Sequence, residues 1–149
     1  MAGYIERDQL SASLYAAATS MAKGVRDLRK VKQQLDFILS VAEAETVTTE
    51  GKALDEKIDV WIAKILQKEL RTQQNNYQFE ARLLVKFKNF LNEISKGNIP
   101  VTQGMRDVTK DYLKEWKGIE ANLQVIKNTD VQRFNEVLKG AGLPEIYWP

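Results

Sequence analysis

Only two carboxylates in this chain, Glu69 and Glu115, are placed where acid–base chemistry could be imagined. A general acid and a general base need one carboxyl kept protonated and another ionised, which requires burial and close pairing. Glu69 sits near the apolar seam of one helix and Glu115 beside Trp116 on another, so both read as flanking residues with solvated tips. The chain has no His and no Cys. It therefore lacks an imidazole base, a thiolate nucleophile and the usual zinc ligands. A di-iron bundle site needs Glu-x-x-His on two helices, which this composition forbids. No Gly-rich phosphate loop occurs, because Gly140 and Gly142 close a helix rather than open one. No catalytic, cofactor-binding or metal-ligating residue is assigned, and the chain reads as a non-enzyme.

The basic residues give no nucleic-acid site either. Lys86 and Lys88 straddle Phe87, and Lys110, Lys114 and Lys117 lie near one side of a later helix. Asp107, Asp111, Glu115 and Glu120 are interleaved with them, the pattern of a solvated face with i,i+4 pairs rather than a phosphate-tracking stripe. Trp61, Phe87, Phe90, Tyr112, Trp116 and Phe134 fall on apolar stripes and are read as core. Tyr77, Tyr147 and Trp148 fall outside the stripes. These three are the candidate contact surface.

The elements behind these residues are helices. From Leu10 an apolar seam steps through Leu14, Ala17, Met21, Leu28, Val31, Leu35, Ile38 and Ala42 in gaps of three and four, with one skip at Gly24. The pattern returns at Met105, Val108, Tyr112, Trp116, Ile119, Leu123 and Ile126. Such spacing puts apolar side chains on one stripe of an α-helix, and the stripe must pack against something. The spacing predicts helices over about 6–43, 52–72, 79–96, 102–128 and 130–140. Residues 45–51, β-branched and ending in Gly51, read as a loop. Gly24 reads as the weak point of the first helix, costing about 1 kcal/mol against Ala if exposed. Gln73-Gln74-Asn75-Asn76 ends the second helix, and Gly97-Asn98 supplies a stop for the third. Thr102 is the N-cap of the fourth, and Thr129 or Asp130 caps the short fifth. Short connections favour antiparallel neighbours, so the expected fold is all-α: an antiparallel up-down four-helix bundle with a short C-terminal fifth helix in one domain, 1–149.

Composition agrees. A chain of 149 residues with 44% hydrophobic and 28% charged residues can bury a core without staples. Its net charge of +2 gives no reason to expect a polyanionic partner. No stretch approaches the roughly 18 apolar residues of a membrane span. The start lacks the basic-then-apolar order of a signal peptide. The tail Leu143-Pro144-Glu145-Ile146-Tyr147-Trp148-Pro149 is too apolar to be left loose; it lies against the bundle or against a neighbour.

Residues 50–146 resemble the helical C-terminal region of large BNR-repeat, sortilin-like β-propeller proteins. The likeness rests on Ala53-Leu54-Asp55-Glu56-Lys57-Ile58, then Asn76-Tyr77 and Arg82-Leu83, then Gly97-Asn98-Ile99-Pro100-Val101-Thr102-Gln103. It closes on Asp130-Val131-Gln132-Arg133-Phe134-Asn135 and Gly142-Leu143-Pro144-Glu145-Ile146. The sequence departs from that pattern at Glu80-Ala81, where a Pro is usual before Arg-Leu, and by one residue fewer before Pro100. The propeller itself is absent, and with it any glycosidase-like activity of the family. The resemblance implies an accessory bundle of a large, often exported protein, with Met1-Ala2-Gly3 read as a cloning remnant. Partners would then be its own propeller or a second copy, with no nucleic acid and no membrane span. Without such a parent the chain would be cytoplasmic. The competing reading is a free-standing small bundle that binds an apolar ligand or a partner protein between its helices.

Overall fold

The computed structural model describes residues 2–66, 83–96 and 100–149. The fold is an all-α helical bundle, and no strand occurs among the described residues. Helix α1 spans Ala2–Val41, α2 Glu45–Ile65, α3 Leu83–Lys96 and α4 Gln103–Val125. A π-helical turn, Ile126–Asp130, leads directly into α5, Val131–Gly140. The chain groups into two compact units: Met1–Ala22 with Ala63–Ile119, and Lys23–Ile62 with Glu120–Pro149. Helices α1, α2 and α4 each contribute to both.

The first seam is buried as its spacing requires. Leu14, Met21, Leu28, Val31 and Leu35 are fully enclosed, and Ala17 and Ile38 nearly so, while Leu10 and Ala42 at the two ends are half-buried. The skip at Gly24 is a correction. Gly24 is buried on the seam, and a Cβ there would lie 2.8 Å from Trp61 Cη2 and 3.0 Å from Leu123 Cδ2. The glycine makes room for an indole that is itself 2% exposed. With Gly24 included, the seam from Leu14 to Ile38 alternates gaps of three and four without interruption.

Residues 45–51 are also corrected: they form the first two turns of α2. Only Ala42, Glu43 and Ala44 connect α1 to α2. Thr46, Val47, Thr48 and Thr49 each cost up to about 0.7 kcal/mol of helix propensity, and Gly51 about 1. Burying Val47 completely offsets much of that, since a buried Val side chain contributes about 1.5–3 kcal/mol. Gly51 allows close approach as Gly24 does, because a Cβ there would meet Leu39 Cδ2 at 2.7 Å and Phe134 Cζ at 3.2 Å.

Contacts within the second unit fix its directions. Trp61 meets Gly24, Lys32 meets Asp55 and Asp59, and Gly51 meets Leu35 and Leu39. Numbers rise on α2 as they fall on α1, so the two run antiparallel there. Lys57 pairs with Asp130, and Gly51 meets Phe134, so the segment entering α5 runs antiparallel to α2 as well.

In the first unit, α3 and α4 share an aromatic cluster. Phe87 stacks on Tyr112 with centroids 5.3 Å apart, and Phe90 meets the same ring edge-on at 5.6 Å. Thr102 caps α4 through its Oγ1, which accepts the Met105 N–H at 3.1 Å. Glu6 forms an ion pair with Arg106 that includes an Nη2–Oε2 hydrogen bond of 3.1 Å. That hydrogen bond holds the Glu6 carboxyl below its ordinary range and raises Arg106.

The break expected near Asn128 does not exist. Asp130 has helical angles (φ −67°, ψ −46°) and no side-chain capping bond, so neither it nor Thr129 opens a separate helix. Buried Ile126 and Val131 are five residues apart, and the π turn absorbs the extra residue while keeping both inward. Helix α5 stops as its glycines require. Gly142 has φ +70°, Leu143 N–H donates to Leu138 O at 2.9 Å, and Gly142 N–H to Lys139 O at 3.1 Å. That pair of bonds is a Schellman motif. The stops read at residues 73–76 and 97–98 lie outside the described residues.

Candidate interaction surface at the C-terminal tail

The tail after Gly142 is held by two side-chain amides. Asn135, on α5 and 5% exposed, accepts the Ile146 N–H at 2.7 Å and donates to the Ile146 carbonyl at 3.1 Å. Gln34, on α1, accepts the Tyr147 N–H at 2.8 Å and donates to the Tyr147 carbonyl at 2.7 Å. In an extended chain the N–H and C=O of one residue point to one edge, and those of the next residue to the other. Asn135 and Gln34 therefore grip the tail from its two edges, each standing in for a neighbouring strand. Ile146 is 4% exposed, so its side chain anchors the tail in the core of the second unit.

The side chains beyond that anchor differ sharply. Tyr147 is 74% exposed although its backbone is fixed. Trp148 is half-buried, with Lys127 Nζ 5.6 Å from its ring centroid. The Gln34 face of α1 continues to Phe37 and Val41, three and seven residues on, which are 68% and 50% exposed. Three large apolar side chains thus stand in water around the hydrogen-bonded Gln34–Tyr147 junction. Tyr77, the third residue singled out from the sequence, lies outside the described residues.

Phe37 and Val41 were legible in principle, since both fall off the seam of α1 yet are large and apolar. Gln34 and Asn135 carry no such signal. A lone amide looks the same in sequence whether it is solvated or clamps a backbone.

Other polar clusters are structural or small. Lys32 Nζ lies 2.8 Å from Asp59 Oδ1 and 3.0 Å from Asp55 Oδ1, tying α1 to α2. Burial alone would lower the Lys32 ammonium, but its contacts with the two carboxylates outweigh that and raise it above its ordinary value. Glu50, Lys57, Asp130 and Arg133 line a cleft of about 50 Å³ over Ala53, Leu54 and Phe134, with Lys57 3.1 Å from Asp130. That volume suits a few water molecules. Glu115 is exposed, as are Lys110, Lys114 and Lys117, whereas Glu69 lies outside the described residues. Among the described residues, no group of three or more carboxylates is placed to hold a metal ion. Among them, too, no helix is long and apolar enough to cross a membrane.

Comparison with known proteins adds no relative: no family model, no curated protein and no solved structure matches this chain.

Proposed function

We infer that this chain is a non-catalytic helical interaction module that associates with a protein through the face carrying Phe37, Val41 and Tyr147, with Trp148 beside it. One observation carries the reading: Tyr147 is fixed through both backbone groups to Gln34 while its ring is left 74% exposed. Hydrogen-bonding the backbone of an exposed aromatic removes in advance part of the backbone entropy lost on binding, and tyrosine is among the residues enriched as interface anchors. The lack of His and Cys supports a binding role over chemistry. The resemblance to propeller-protein C-terminal bundles suggests the context, an accessory bundle packing on a propeller-bearing parent or on a second copy.

Lysine-directed cross-linking of the native protein from its source tests the surface. Lys30 and Lys127 flank the proposed face, whereas Lys110, Lys114 and Lys117 lie on exposed positions of α4. Cross-links to foreign polypeptide concentrated at Lys30 and Lys127 support the reading, and a distribution centred on α4 overturns it. Blotting the same fraction tests the context. A band several times larger than 17 kDa fits an accessory bundle, and a band at 17 kDa removes the propeller parent.

A further inference from the structure

We propose, resting on the association face inferred above, that its occupant is a second copy of this chain, docked antiparallel across a twofold axis at Phe37. On the side of α1 away from the buried seam, Arg26, Lys30, Gln33, Phe37 and Val41 follow one another in gaps of three and four. All of them are exposed. Beyond Val41 come Glu43, in the connection to α2, and Glu45, in the first turn of α2, and both are exposed too. The face is therefore apolar at its centre, basic at one end and acidic at the other. Arg26, Lys30, Glu43 and Glu45 form no ion pair among the described residues.

That polarity is complementary to itself. In a twofold interface one patch serves both copies, so if residue i meets residue j, then j meets i. Seven residues separate Lys30 from Phe37 and six separate Phe37 from Glu43, about 10 Å of helix on either side. Turning one copy about Phe37 sets each Lys30 against the Glu43–Glu45 corner of the other, with Arg26 one turn beyond. The two Phe37 rings meet on the axis. Tyr147, bonded to Gln34 three residues before Phe37, comes opposite Val41, four residues after it. Apolar groups then meet apolar groups, and each Lys30 meets carboxylates. A parallel pairing is disfavoured, because Lys30 would face Lys30 and Glu43 would face Glu43, and like charges across an interface are costly. A foreign chain would have to carry the matching order of charges, whereas a second copy already does. From Lys30 to Glu43 the face covers about 20 Å of one helix, a smaller patch than the roughly 800 Å² per partner of standard stable interfaces. The dimer is therefore expected to be weak and reversible.

Sedimentation equilibrium of the full chain tests the pairing. The average mass is expected to rise with concentration from 17 kDa toward twice that value. Lys30→Glu puts like charges at both ends of the interface, as does the double variant Glu43→Lys with Glu45→Lys. Each is expected to weaken self-association by about tenfold or more, with helicity and cooperative melting unchanged. An equimolar mixture of the two is expected to regain the parent's affinity, because both ends then carry opposite charges. Misfolded chains cannot produce that recovery. Phe37→Ser is expected to abolish the dimer. A mass of 17 kDa at every concentration would overturn the proposal. So would self-association indifferent to both charge variants, or a mixture that stays monomeric. Cross-linking of the source protein judges the face separately in those cases. Cross-links from Lys30 and Lys127 to another protein would keep the face and give it a foreign partner, and cross-links centred on α4 would remove both.

Discussion

Gly24 and Trp61 are matched across α1 and α2: the indole Cη2 occupies space that a methyl group on Gly24 would enter at 2.8 Å. The contact explains why a residue that weakens helices sits in the middle of a 40-residue one. It also predicts opposite effects for two identical substitutions. Gly24→Ala gains about 1 kcal/mol of helix propensity but overpacks a dense site, which typically costs about 1–3 kcal/mol, so a net loss is expected. Gly118→Ala, on α4 with nothing within 4 Å of the added methyl, is expected to stabilise by about 0.5–1 kcal/mol. Urea denaturation of the two variants decides, and a Gly24→Ala variant as stable as its parent would refute the packing account.

The Lys32 ammonium, held between Asp59 and Asp55, gives a prediction in alkali. Its pKa is raised above the ordinary 10.5, so the folded state binds that proton more tightly than the unfolded state. The resulting stability is complete below 10.5 and is lost as pH rises through the higher folded-state value. Lys32→Met is expected to cost on the order of 1 kcal/mol at neutral pH, partly because it leaves two carboxylates one turn apart. Its melting temperature is expected to converge on that of the parent as pH rises through the raised folded-state value, whereas a constant gap would assign the loss to packing.

Asn135 carries the tail from inside. Asn135→Ala strands the N–H and carbonyl of Ile146, and an unpaired buried group costs about 1–3 kcal/mol. Amide exchange at Ile146 is expected to rise at least tenfold while the central turns of α1 stay protected. Unchanged protection at Ile146 would mean that its side chain, not the amide, holds the tail.

Trp148 lies outside that grip. Trp148→Ala is expected to leave helicity and cooperative melting intact, with a loss no greater than about 1 kcal/mol from its contact with Lys127. Association through the Tyr147 face is expected to weaken. Loss of cooperative melting would move Trp148 from the contact surface into the core.

The helices were legible because burial leaves a period. Leu14 to Ile38 on α1, Leu54 to Ile65 on α2 and Trp116 to Ile126 announce their faces through spacing alone. Local propensity misled at residues 45–51, where Val47 and Gly51 look like loop residues but serve contacts with Leu39 and Phe134 that are remote in sequence. The same limit hid the role of Gly24. At the tail, the apolar composition announced that residues 143–149 would be held, but not by what. Hydrogen-bonding amides such as Gln34 and Asn135 leave no periodic trace, because one partner at the right distance suffices.

The π turn at Ile126–Asp130 sets the phase of everything that follows it. Removing one residue from a continuous α-helix rotates the remainder by about 100°, which would swing Val131, Phe134 and Leu138 away from the interior. In most of α4 or α5, therefore, a one-residue insertion or deletion exposes an entire face. Within this turn the winding already accommodates an extra residue, so the helix has one place where its length can be edited by a single residue at the cost of local winding and not of the whole downstream face. The alignment of Asn135 with Ile146, and so the grip on the tail, depends on a phase correction made one turn earlier.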